Sequence, residues 1–219
     1  MTDDPEPTDT GHWENYVVVA GAHVPGETTG ETAIDLNFGG AKDLQLSLAL
    51  PVDYDSTPSP RFGFGDVAVS GKYRFLRQAK GSWLPDVAAF PEIDLPTASH
   101  GFGNGRASLF LPLWAQKDFG DWSTFGGGGY RINPGPGRKN SWLTGWAVTR
   151  QVNPRLQLGA EIYRQTSDAA GEAATTAIAG GVIYRFNARF ALLASGGPSL
   201  QAPPGQRSWS LFTALEINY

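Results

Sequence analysis

From residue 12 to the last residue, apolar and polar residues alternate with a period of two, and nowhere does a helical period of 3.6 compete. The clearest stretch is Asp43 to Leu50, where Leu44, Leu46, Leu48 and Leu50 form one face and Gln45, Ser47 and Ala49 the other. Val67, Val69, Tyr73 and Phe75 oppose Asp66, Ser70, Lys72 and Arg74 in the same way. Successive side chains of a strand point to opposite faces, so this pattern describes strands lying between two different solvents. It predicts twelve strands, over about 12–22, 31–38, 43–51, 65–76, 84–95, 106–117, 122–132, 141–151, 155–166, 175–187, 189–197 and 208–219.

The connections carry the topology. Those after the second, fourth, sixth, eighth and tenth strands are short, whereas those after the third, fifth, seventh, ninth and eleventh are longer and rich in Gly, Pro and Ser. An antiparallel meander places odd and even connections at opposite rims, and bacterial outer-membrane barrels have short periplasmic turns and long extracellular loops. With twelve strands, both chain ends fall on the short-turn, periplasmic side.

A soluble sandwich would also alternate, with its apolar face hidden in a core. Three features favour lipid over a core. One face is nearly free of charge, while several opposite faces are built from Gly, Ala, Ser and Phe, as a narrow lumen accepts. Aromatic residues sit at strand ends (Trp13, Phe38, Phe75, Trp83, Trp122, Trp142, Tyr184, Phe186, Phe190, Trp209 and Tyr219), where amphipathic rings meet headgroups. The chain closes on Leu215, Ile217 and Tyr219, in phase with the apolar face, like the terminal strand that outer-membrane barrels present to their assembly machinery. The fold class expected is therefore all-β, a transmembrane up-and-down antiparallel barrel over residues 12–219, preceded by an acidic tail over residues 1–11.

Composition agrees. Of 219 residues 41% are hydrophobic, yet only 17% are charged against about 25% in a soluble domain. A barrel needs charge only on lumen, rims and loops. No window offers the roughly 20 apolar residues of a membrane helix. A net charge of -4 with scattered basic residues leaves no electrostatic footprint for nucleic acid. The absence of cysteine excludes disulfides, thiol catalysis and Cys-based zinc sites. The start, Met1 to Glu6, has neither the basic nor the apolar region of a signal peptide. For an outer-membrane protein the expectation is that the leader has been removed.

Several stretches resemble a known family. Thr2-Asp3-Asp4-Pro5 to Gly11-His12-Trp13-Glu14, Gly65-Asp66-Val67 to Lys72-Tyr73-Arg74-Phe75-Leu76, Phe90-Pro91-Glu92-Ile93-Asp94-Leu95-Pro96 and Leu111-Pro112-Leu113-Trp114-Ala115-Gln116-Lys117-Asp118-Phe119-Gly120 are similar to the outer-membrane family labelled "MetA-pathway of phenol degradation". The likeness runs over most of the chain. It implies a barrel, an outer-membrane location and transport, and it brings no catalytic residues.

The phase of the strands assigns Glu14, Asp35, Asp66, Lys72, Arg74, Glu92, Asp94, Arg131, Glu161, Tyr163, Arg185 and Glu216 to the lumen, together with Phe90, Phe110, Trp114, Phe125 and Phe212. Charges of both signs kept from bulk water pair with one another, or they bound a selective route for a small solute. Rings among them either fill the interior or line a site for an aromatic or hydrophobic molecule. Pro91 and Pro112 supply no ladder N–H, which marks them as a candidate lateral gap in the wall. The run Gly126 to Gly129 precedes no helix and so is a bend or close approach, not a phosphate loop. His12, His23 and His100 make no recognisable nucleophile–base or metal motif, even with Ser99 beside His100.

The acidic start reads as a solvated periplasmic tail, with a plug or partner-binding strand as the alternative. The leading expectation is a monomeric barrel in contact with outer-membrane lipids and the barrel assembly machinery, passing small, aromatic or hydrophobic solutes without metal or cofactor. The alternatives are a non-conducting barrel closed by paired charges and rings, and a lipid-modifying enzyme.

Overall fold

The computed structural model describes residues 1–103, 105–201 and 207–219. Among them no helix is long and apolar enough to cross a membrane. Fourteen hydrogen-bonded segments make twelve strands, because two strands are each interrupted once. In chain order the strands are β1 Trp13–Val24, β2 Glu27–Ala41, β3 Leu44–Asp55, β4 in two pieces (Arg61–Phe64 and Val67–Leu76), β5 in two pieces (Asp86–Ala89 and Glu92–Leu95) and β6 Ser108–Phe119. They continue as β7 Trp122–Ile132, β8 Ser141–Asn153, β9 Leu156–Gln165, β10 Thr175–Arg185, β11 Phe190–Pro198 and β12 Trp209–Asn218.

Each strand pairs antiparallel with its chain neighbours, and β1 closes the sheet against β12 with Val18 opposite Ala214. Closure removes every sheet edge, which is what a strand structure in lipid requires. Beyond the ladder, Trp13 and Tyr219 exchange backbone hydrogen bonds of 3.2 and 2.9 Å, so the start of β1 and the end of the chain share one rim. That rim also carries the turns 42–43, 120–121 and 154–155 and the longer connection 77–85, and the connections after β3, β5, β7 and β9 lie at the other.

The alternation maps onto the wall as expected. Val17, Val19, Ile34, Leu46, Leu50, Leu113, Leu158, Ile162 and Leu192 are exposed on the outer face. Ala33, Ala88, Ala177, Ala191 and Ala214 are buried on the inner one. Exposed rings border the apolar belt, with Trp13, Trp122 and Tyr219 towards the turn rim and Trp142 and Trp209 towards the loop rim.

Two local features differ from the sequence expectation. The first outer connection is only Pro25-Gly26, with Gly26 at φ 91°, because β1 and β2 run on as a hairpin. Glu27 to Gly30 is polar on both faces, so the alternation vanishes where both faces meet water although the strand continues. The prolines, in turn, leave the wall closed. Tyr73 lies opposite Ala89 and Ser70 opposite Glu92, so both pieces of β5 keep one register. Across the interruption Phe90 donates its N–H to the Pro112 carbonyl at 3.2 Å, and Gly71 donates to the Pro91 carbonyl at 3.1 Å. Pro91 and Pro112 each cost the ladder one donor, and the expected lateral gap is absent. The interruption in β4 is a true bulge. Val52 faces Phe64 and Ala49 faces Ala68, which shifts the register by one residue at Gly65 and Asp66.

Candidate functional site

The lumen holds the chain's own N-terminal residues. The stretch expected as a solvated tail enters from the turn rim and runs up the inside, with Pro5, Pro7 and Thr8 buried. Its seat begins at Gly39, where Gly11 donates to the Gly39 carbonyl at 2.7 Å. A Cβ on Gly39 would lie 2.0 Å from the Asp9 carbonyl oxygen, so only glycine leaves the segment room. Higher up, the Thr8 N–H and hydroxyl donate to Gln45 Oε1 at 2.9 and 3.0 Å, and Gln45 Nε2 donates to Asn37 Oδ1 at 2.9 Å.

Lys72 is the next anchor. Its side chain is 6% exposed, with Nζ 3.2 Å from Asp3 Oδ1 and 3.9 Å from Asp4 Oδ1. It also donates to the Glu6 carbonyl at 3.4 Å and lies 4.8 Å from the Phe90 ring centroid. A buried ammonium needs such partners, and here the N-terminal segment supplies them. At the far end the Thr2 N–H donates to Glu161, and the Thr2 side chain fills the space that a side chain on Gly145 would need. Met1 borders a cavity of about 310 Å³ near the loop rim, beside Phe110, Arg131, Ser141 and Gln165.

The other inward charges form two further groups. On adjacent strands β5, β6 and β7, Arg131 pairs with Asp94 and with Glu92, the latter at 3.2 Å, while its guanidinium stacks 4.9 Å from the Phe110 ring centroid. Ser108 donates to Asp94 as well. At the turn rim Arg74 lies 3.2 Å from Asp43 and 3.9 Å from Asp86, and Arg77 joins it on Asp43.

Residues 5–213 match the family described as "Putative MetA-pathway of phenol degradation". The chain belongs to that family. Among solved structures, the COG4313 outer membrane channel from Pseudomonas putida F1 superposes with a TM-score of 0.81 at 16% identity, covering 100% of this chain and 99% of its own. The KdgM porin superposes with a TM-score of 0.63 at 9% identity, covering 93% of this chain and 99% of its own. For the NanC porin the values are 0.64 and 11%, with 92% and 98% covered. At these identities the likeness is one of fold, and the fold is that of outer-membrane channels and porins. No curated protein matches the chain in sequence.

Within this family member, the inward residues expected from the sequence divide by contact. Glu92, Asp94, Arg131 and Phe110 form one group, Lys72 meets the N-terminal segment with the Phe90 ring beside its ammonium, and Glu161 caps the end of that segment. Glu14 accepts the Tyr16 hydroxyl at 2.5 Å, Glu216 accepts from Asn218 at 2.7 Å, and Arg185 reaches Gln157 at 3.5 Å. Trp114 and Tyr163 are buried in the inner wall. Asp66 turns instead to the connection after β5, accepting the Ala98 N–H at 3.0 Å. Leu215 and Ile217 occupy the outward face of β12, Tyr219 follows it in the same phase, and Leu215 and Tyr219 are exposed. Ser99 Oγ accepts the Phe64 N–H at 3.0 Å, and His23 Nδ1 lies 2.9 Å from the Thr28 hydroxyl. Sequence reasoning missed Asp3, Asp4 and Thr2 as lumen residues, and Glu31 and Asp53 as inward carboxylates. Asp53 lies beyond the end of the expected third strand, and Glu31 is the first residue of the expected second.

Proposed function

We propose that the protein is a monomeric bacterial outer-membrane channel for small solutes, without enzymatic activity, whose passage is closed at rest by its own N-terminal segment. The observation that carries this reading is the seat of residues 2–11 along the lumen, from the Gly39 notch past Lys72 to Glu161. A permanent filler would need only apolar bulk. A segment tethered at the turn rim and held by ion pairs and hydrogen bonds is instead removable, because water can replace each polar contact. The family match and the channel fold support the same reading. Rings among the charges, Phe90, Phe110 and Trp114, favour solutes with aromatic or apolar parts. Both chain ends then face the periplasm, and Leu215, Ile217 and Tyr219 serve as the recognition strand for barrel assembly.

A second reading is a barrel that never conducts, favoured by the completeness of the Lys72 and Arg131 pairing. Planar-bilayer recordings separate the two. The full chain is expected to show small or short-lived currents, and a variant lacking residues 2–8 larger, stable ones, with heat-modifiable gel mobility confirming an intact barrel. Closed recordings from both proteins, each intact, would establish the non-conducting reading.

A further inference from the structure

The two halves of the lumen wall differ in chemistry. On β7, β8, β10, β11 and β12, Phe125, Ala147, Ala179, Ile183, Leu193 and Phe212 line a largely apolar cavity of about 160 Å³ that is open on one side and floored by β9. An apolar cavity of about 150 Å³ takes a benzene molecule, so this one has room for a single six-membered ring. Glu161 borders the same cavity, and its carboxylate accepts the N–H of Thr2, which also lines the cavity. An N–H donor of the N-terminal segment therefore occupies the polar edge of an apolar, ring-sized space.

The facing wall is acidic. Glu31 and Asp53 lie opposite each other across β2 and β3, with Asp35 one inward position below Ala33. Arg131 pairs with both Glu92 and Asp94, but among the described residues no ion pair reaches Glu31, Asp35 or Asp53. Carboxylates lining a conduit with low-dielectric walls raise the local concentration of cations and exclude anions.

We propose that the pathway selects small organic ammonium ions bearing one apolar ring, the ring entering the cavity between Phe125 and Phe212 and the ammonium replacing the Thr2 N–H on Glu161. This rests on the channel reading above and adds to it the charge and shape of the solute. It makes the N-terminal segment a stand-in for the solute, which displaces it by competing for one carboxylate.

The test uses three molecules with the same ring, benzylammonium, benzyl alcohol and benzoate, with ringless methylammonium as the reference, each added at neutral pH to bilayers carrying the full chain while the potassium current is recorded. Benzylammonium should alter the current at a concentration at least about tenfold below benzyl alcohol, the usual worth of a charge-assisted contact, and benzoate should have no effect. Glu161→Gln should abolish the preference for the ammonium. Ala179→Phe, which fills the cavity and leaves Glu161 in place, should weaken benzylammonium to the level of methylammonium. Equal potency of the three molecules, a preference for benzoate, or an unchanged ratio in Glu161→Gln would overturn the assignment while the current itself upholds the channel. A full chain and a variant lacking residues 2–8 that both pass no current would instead remove the channel reading, and this inference with it.

Discussion

Two glycines and one aspartate show how much a single position decides. Gly39 and Gly145 are inward-facing strand residues, where a side chain would ordinarily add sheet stability. They are glycine because the N-terminal segment occupies the volume a side chain would take. Gly39→Ala puts a methyl group into the Asp9 backbone, which cannot yield as a flexible side chain can. The expected outcome is a barrel of unchanged mobility and melting, with larger currents and N-terminal residues newly open to protease. An unchanged current and protection pattern would show that the segment is not seated at this notch. Asp43, in the β2–β3 turn, has φ 64°, a conformation that Asp and Asn tolerate better than most residues. Burial opposes its charge, but hydrogen bonds from Arg77 and Arg74 hold its carboxyl below the usual carboxylate range. A carboxyl lowered on folding stabilises fully above its unfolded pKa, and that contribution fades as pH falls through the lowered value. Asp43→Asn keeps the backbone preference and removes the charge, so it should lower the melting temperature at pH 7 and lower it less as the pH falls below the ordinary carboxylate range. An equal loss across that pH range would point to backbone strain instead.

Strands were legible where their two faces met different solvents, and illegible where they did not. The central parts of all twelve lie within the expected ranges, since lipid on one side and lumen on the other force a period of two. The upper part of the β1–β2 hairpin gives no strand signal because Glu27 to Gly30 is polar on both faces, yet the ladder from His23–Thr28 to Val24–Glu27 holds it as strand. Pro91 in β5 and Pro112 in β6 each lack a ladder donor, but missing donors do not open the wall. Flanking bonds at Phe90 and Gly71 and an unbroken register keep the strand in place. Pro91→Ala restores one N–H opposite Gly71, and the net worth of one such bond is about 1 kcal/mol. Some of that is offset by the greater freedom of the unfolded alanine chain. A small increase in unfolding free energy is expected in urea titrations of the detergent-folded barrel, and a clear loss would mean that the proline ring itself packs against the neighbouring strands.

At the scale of the molecule, the decisive feature is that the large apolar residues face outward. Leu113, at the middle of β6, is 54% exposed, an arrangement stable in lipid and costly in water. Leu113→Arg should cost about 2–4 kcal/mol in lipid vesicles, the range for Arg near the midplane of a barrel's lipid face. On the surface of a soluble protein the same change is nearly neutral, so an effect within about 0.5 kcal/mol would argue against a membrane-facing wall at that position. Closure is equally global. The pairing of β1 with β12 joins residues at the two ends of the sequence, and the phase of Leu215, Ile217 and Tyr219 makes sense only once that seam exists.

Strand number, the face each residue takes and the outer-membrane barrel class were determined by the sequence alone, because each follows from local alternation and the lengths of connections. Tertiary structure alone decided what fills the lumen. Lys72 meets Asp3 across 69 residues of chain, and Thr2 meets Glu161 across 159. Nothing local in Thr2 to Thr8 marks it as a plug, since its composition suits a solvated tail equally well. The difference lies in partners that a distant wall presents: two glycine notches, one buried ammonium and one carboxylate. Pairings of that kind depend on which strands face each other across the barrel, and this is settled only when the sheet closes.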